Sequence, residues 1–199
     1  MSEAAVEHYL KRWDSSLAAG PKSFSDISSR RMFLKQMLSL SAVGVFSGVV
    51  QANTNNLESP QWKILSAVHL HMLPSSPDEP DAVSVNATAF LKSVLEWPGV
   101  DENDKKFIID GTGWLNGVAS KQYQKDFVLL DTGQKETILR LVEQSKAGGN
   151  WLSLILLYLM EALLTDPVYG GNTNAQGWKW LGHQPGFPQP PANKRYFLL

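Results

Sequence analysis

Between residues 61 and 73 the apolar positions Ile64, Leu65, Val68 and Met72 recur three or four residues apart, the spacing that gathers side chains on one face of a helix. Pro74 and Pro77 predict its end, because proline lacks the amide proton that a helix needs. An acidic, proline-bearing loop over 75–81 follows. Ala89, Phe90, Val94 and Leu95 predict a second helix over 86–97, closed by Pro98 and Gly99. Asp101 is placed to cap a third, which carries Phe107, Ile108, Trp114, Leu115, Val118 and Tyr123, with Gly111 and Gly113 allowing a bend or a break. Asp131 with Gln134 three residues on is the pattern of a capping box, opening a helix that turns Ile138, Leu141 and Val142 inward. Gly148 and Gly149 predict its stop.

Over 151–164, 12 of 14 residues are apolar and only Ser153 and Glu161 are polar. A helix apolar on every face belongs at the centre of a bundle or against a partner. At this length it falls short of the roughly 20 residues that span a bilayer. No alternating strand pattern, hairpin dipeptide or fixed-period repeat stands out. The expected fold is all-α, a small helical bundle.

Both ends of the chain differ from this middle. Ser29, Arg30, Arg31, Met32, Phe33, Leu34 and Lys35 precede an uncharged run over 37–50 and then Val50-Gln51-Ala52. The order basic, apolar, small is that of a removable export signal. The seven positions match the twin-arginine pattern Ser-Arg-Arg-x-Phe-Leu-Lys in full, with Arg30, Arg31, Phe33 and Leu34 as the residues a twin-arginine translocase would read. That pathway carries folded proteins. The 28 residues ahead of Ser29 form a long leader of mixed charge containing Glu3, Glu7, Asp14 and Asp26. At the other end, ten of the 34 residues over 166–199 are Gly or Pro, and no helix is expected there. Tyr169, Trp178, Trp180, Phe187, Tyr196 and Phe197 nevertheless need somewhere to pack, since unstructured segments are poor in aromatics. The expected division is a signal peptide with its leader over 1–52, a helical domain over 53–165, and an extended C-terminal interface tail over 166–199.

Composition narrows the chemistry. The 199 residues carry 18 basic and 19 acidic side chains, a net charge of −1, which leaves no electrostatic footprint for nucleic acid. Cysteine is absent. Thiol nucleophiles, disulfides, iron–sulfur ligation, Cys-based zinc sites and covalent c-type haem attachment are thereby excluded within this chain. His69 and His71, two apart on a helix, point about 200° away from each other and cannot chelate one metal. No Gly-x-Ser-x-Gly elbow supports a triad, and Gly111-Thr112-Gly113 lacks the third glycine and the preceding strand of a dinucleotide loop. No catalytic, cofactor-binding or metal-binding residue is assigned.

The most specific run is Asp166, Pro167, Val168, Tyr169, Gly170, Gly171 and Asn172, then Gly177, Trp178, Lys179 and Trp180, then Pro185, Gly186 and Phe187. Asp-Pro, Tyr-Gly-Gly-Asn, Gly-Trp and Pro-Gly in that order, behind an apolar helix, resemble the gluconate 2-dehydrogenase subunit 3 family. The resemblance covers about 60–191 and is specific over 166–186, with one residue more before Pro185 than the form usual in the family. It implies a non-catalytic small subunit of a periplasm-facing dehydrogenase complex for sugars, sugar acids or polyols, held at the inner membrane. The large subunit of such a complex is a GMC-type flavoprotein with FAD, and a multihaem cytochrome c carries the electrons on. The small subunit supports the flavoprotein and supplies its twin-arginine signal. Asp166, Pro167, Tyr169, Gly170, Gly171, Asn172, Gly177, Trp178, Trp180, Pro185 and Gly186 are then expected at the partner interface. Two other classes stay open: a sugar-binding module stacking pyranose rings on Trp178 and Trp180, and an independent periplasmic enzyme using His69 or His183.

Overall fold

A computed structural model describes residues 3–16, 58–185 and 191. The twin-arginine sequence, the apolar run behind it, Gly186 and Phe187 lie outside the described residues. Helices α1 (Glu3–Ser16), α2 (Pro60–Met72), α3 (Ala87–Glu96), α4 (Glu102–Tyr123), α5 (Thr132–Glu143), α6 (Lys146–Leu164) and α7 (Gln176–Trp180) make up the fold, with short 3-10 turns at Phe127–Leu129, Pro167–Tyr169 and Thr173–Ala175. Among the described residues there is no strand, and the all-α expectation holds.

The caps explain most boundaries. Pro60 occupies the first turn of α2, where its missing amide proton costs nothing. The Asp101 carboxylate accepts from the Asn103 amide at 2.7 Å and opens α4. Asp131 accepts from the Gln134 amide at 2.8 Å while Gln134 accepts from the Asp131 amide at 3.3 Å, completing the capping box of α5. Asn116 on α4 accepts from the Phe127 amide at 2.7 Å and so fixes the turn that buries the Phe127 ring.

Two glycine expectations are corrected. α4 runs unbroken through Gly111 and Gly113. Gly111 serves close approach: a Cβ there would lie 2.0 Å from Nε1 of Trp151, whose indole donates to the Ile108 carbonyl at 3.0 Å. Nor do Gly148 and Gly149 stop α5, which ends at Glu143. They lie in the first turns of α6, where the Ser145 hydroxyl caps the Gly148 amide at 3.0 Å.

α6 therefore starts five residues before the apolar stretch, and its 19 residues are long and apolar enough to cross a membrane by length and composition. The expectation of a helix too short for a bilayer is corrected on this point. Its position is nevertheless that of a core helix, since it packs against α1, α2, α3, α4, α5 and α7. Trp151, Leu154 and Ile155 join the main core with Leu65, Val68, Ile108, Leu115, Phe127 and Ile138. Leu159, Ala162 and Leu163 close a second, smaller cluster over Ala82, Val85 and Phe90.

The division at residue 52 assigns α1 to the leader. Its packing assigns it to the bundle, because Val6 and Trp13 are buried in the main core against α4 and α6. The spacing of Val6, Tyr9, Leu10 and Trp13 is that of a helix with one apolar face.

Candidate functional site

The distinctive C-terminal run is a folded cap on α6, which corrects the expectation of an extended ribbon without helix. α6 ends with carbonyls that have no partner within the helix, as every helix does. Asn172 meets this need from full burial: its backbone amide donates to the Ala162 carbonyl at 2.6 Å and its side-chain amide to the Thr165 carbonyl at 2.8 Å. Its side-chain oxygen accepts from the Gly177 amide at 2.8 Å. The Trp178 indole donates to the Leu164 carbonyl at 2.8 Å, and the ring meets His183 edge-on at 5.8 Å. Gly177 has to be glycine, since a Cβ would lie 2.0 Å from the Leu163 carbonyl oxygen.

The preceding turn is built the same way. Asp166 accepts from the Val168 amide at 3.0 Å and Pro167 opens the 3-10 turn, after which Gly170 takes a φ of 94°. Asn86, the residue before α3, donates to the Gly170 carbonyl at 2.8 Å and ties the turn to the bundle. Asp166, Pro167, Tyr169 and Pro185 are half-buried and Gly170 is exposed. Gly171, Asn172, Gly177 and Trp178 are buried within their own chain, Trp178 being 7% exposed. These four, expected at a partner interface, hold the cap together within the chain. The burial of Trp178 also removes the paired-tryptophan platform on which a sugar could stack. Trp180 remains at the surface, 44% exposed.

Beside the cap lies a face that the sequence, which places this helix at a bundle centre or against a partner, does not single out. Leu156, Met160 and Leu164 project from one side of α6 at four-residue spacing and are 47%, 42% and 40% exposed. Leu181, 53% exposed, and Trp180 are further uncovered apolar side chains, at the C-terminal end of α7. In an all-apolar helix every face looks alike, so only the arrangement of the neighbouring helices reveals which stripe is left uncovered. A contiguous apolar patch rimmed by polar groups marks an interaction site on a protein surface.

The rim is polar. A groove of about 460 Å³ next to Leu156 is lined by His71, Leu139, Leu152, Glu136 and Arg140. The Glu136 carboxylate sits 2.8 Å from Nε2 of His71 and 2.6 Å from Arg140, and the His71 hydrogen bond, foremost, holds it below the usual carboxylate range. His69 faces elsewhere, with Nδ1 3.0 Å from the Thr88 hydroxyl and Nε2 buried without a hydrogen-bond partner. Burial lowers its pKa to about 4, so it is neutral near pH 7. The two histidines serve different contacts, and among the described residues no group of three or more His, Cys, Asp or Glu side chains could hold a metal ion.

The family model for gluconate 2-dehydrogenase subunit 3 matches residues 59–186, a stretch that holds α2 to α7. The chain belongs to the gluconate 2-dehydrogenase subunit 3 family. Neither the comparison with curated proteins nor that with solved structures found a match. Family membership makes the chain a small subunit of a dehydrogenase complex. The Asn172 network and α6 lie inside the matched stretch, whereas α1 lies outside it.

Proposed function

We propose that this chain docks on the FAD-dependent, GMC-type large subunit of a sugar, sugar-acid or polyol dehydrogenase and carries the export signal for both. The observation that carries the docking reading is the uncovered row of Leu156, Met160 and Leu164, with Trp180 and Leu181 also uncovered at the end of α7. Aromatic and aliphatic anchors at the centre of an interface supply most of its binding energy. Trp180 and Leu181 take the place of Trp178 as expected contacts, because Trp178 is already committed to the α6 carbonyls.

In this reading the oxidation takes place on the flavoprotein, with FAD as hydride acceptor, and a multihaem cytochrome c on a third subunit passes the electrons on. The absence of cysteine supports placing the covalently held haem elsewhere. The small subunit holds the flavoprotein by its apolar face and contributes no group to the reacting atoms. The complete twin-arginine match at 29–35 supports export of the folded pair to the periplasm, where the complex stays at the inner membrane. Replacing Arg30 and Arg31 with Lys then leaves both subunits in the cytoplasm. Normal periplasmic dehydrogenase activity in that double variant would refute the export half of the reading.

The docking half is tested by co-purifying the flavoprotein with the Met160→Asp variant. Recovery of the large subunit should fall at least tenfold, while the rate per bound FAD in the residual complex stays near that of the parent. Undiminished recovery would refute it.

A further inference from the structure

α1 stands ahead of the twin-arginine sequence in the chain and outside the stretch that defines the family, yet it completes the core. Its Trp13 is 1% exposed and lies between two tryptophans of distant sequence. The Trp114 ring is parallel to it within 6° at 6.1 Å, and Trp151 is inclined at 59° and 6.2 Å. Tyr9 packs on Trp114 at 4.9 Å, with the Lys121 ammonium 5.1 Å from its ring centre. On α4 a notch receives that tyrosine: a Cβ at Gly117 would lie 2.0 Å from the Tyr9 hydroxyl oxygen. Asp14 accepts from the Ala147 amide at 2.7 Å, so its carboxylate sits at the positive first turn of α6.

We propose that the seat formed by Trp114, Gly117, Trp151 and the first turn of α6 is a binding site for this chain's own residues 3–16, and that the working subunit keeps them by leaving the chain uncut between α1 and α2. The twin-arginine sequence is then an internal segment flanked on both sides by helices of one folded domain. This second clause rests on the export reading. The seat itself does not.

The physical reason is the cost of losing α1. Removal after Ala52 would open Trp114 and Trp151 to water and leave the Ala147 amide without its carboxylate. A separated 14-residue helix is also only marginally stable by itself, so it would not be held in shape for rebinding. Continuity of the chain keeps the segment at high effective concentration over its seat.

The test combines the intact mass of the subunit isolated with its complex from fractionated cells and the thermal midpoint of the full chain. The expected mass includes residues 3–16, and Trp13→Ala lowers the midpoint by about 10 °C, with Trp13→Phe recovering part of the loss. A periplasmic subunit that begins near residue 53 would overturn the proposal, as would a Trp13→Ala midpoint equal to that of the parent. A subunit found only in the cytoplasm would refute the export reading separately, and the Trp13 comparison would still decide the seat.

Discussion

The two halves of α6 use apolar side chains in opposite ways. In the first half Trp151 is sealed between Trp13 and α4, its ring packed against Gly111 and its indole hydrogen bond satisfied by Ile108. In the second half Leu159, Ala162 and Leu163 are buried on one side, while Leu156, Met160 and Leu164 stand uncovered on the other. The first arrangement is complete within the chain. The second buries only part of its apolar surface, and burying the rest would stabilise a complex by about 25 cal/mol per Å² before the costs of association.

Substitutions on either side of that divide should separate folding from docking. The largest expected effect lies in the sealed half. Trp151→Ala should destabilise the chain by about 3–5 kcal/mol, because it removes the ring that fills the space between α1 and α4 and leaves a cavity. Thermal denaturation of the purified full chain measures this, and a shift of only a degree or two would mean that the aromatic junction is loosely packed.

Acid should act on the same interior through His69. Its folded-state pKa is lowered to about 4 by burial, whereas the unfolded chain takes up the proton near 6.5. Between these values the unfolded state binds more protons, so stability is full above pH 6.5 and is lost as pH falls toward 4, by up to about 3 kcal/mol. Denaturant titrations at pH 7 and pH 4.5 measure the loss. His69→Gln should flatten the contribution, and an unchanged pH dependence in that variant would assign acid sensitivity to other groups.

At the end of the open half, the cap sharpens the contrast. Asn172→Ala strands the Thr165 carbonyl and the Gly177 amide and should cost about 1–3 kcal/mol of stability. Loss of docking in this variant should follow from loss of the cap, and is expected to return at lower temperature as the cap refolds. A variant with full stability but no docking would mean that Asn172 meets the partner directly.

Much of this was legible in the sequence and some was not, for physical reasons. α2 and α3 fall within a residue or two of their expected limits, because Pro74 and Pro98 act locally on the backbone. The Asp131 and Gln134 capping box is also a local device. Glycine is ambiguous in a sequence: at 111 it admits a neighbouring indole, and at 148 it lies in a capped first turn, neither of which a local pattern distinguishes from a break. The motif around Asn172 is recognisable, but that four of its residues, Gly171, Asn172, Gly177 and Trp178, are buried in the cap of their own helix is not. Residues that bind their own α6 carbonyls look, in sequence, like residues kept for a partner. Likewise α1 carries a helical apolar spacing in Val6, Tyr9, Leu10 and Trp13, yet nothing local in residues 3–16 shows that they pack on α4 and α6, far along the chain.

The smallest expected effect on stability, and the most direct test, belongs to Met160. If the uncovered face of α6 holds the flavoprotein and the sealed half holds the fold, one substitution separates the two. Titrating the purified large subunit with the full chain and with Met160→Asp, and recording each chain's thermal midpoint, measures both sides at once. Binding should weaken at least tenfold, about 1.4 kcal/mol or more, with a midpoint change within about 0.5 kcal/mol of stability. Equal affinity of the two chains, at equal stability, would mean that the flavoprotein docks on another face.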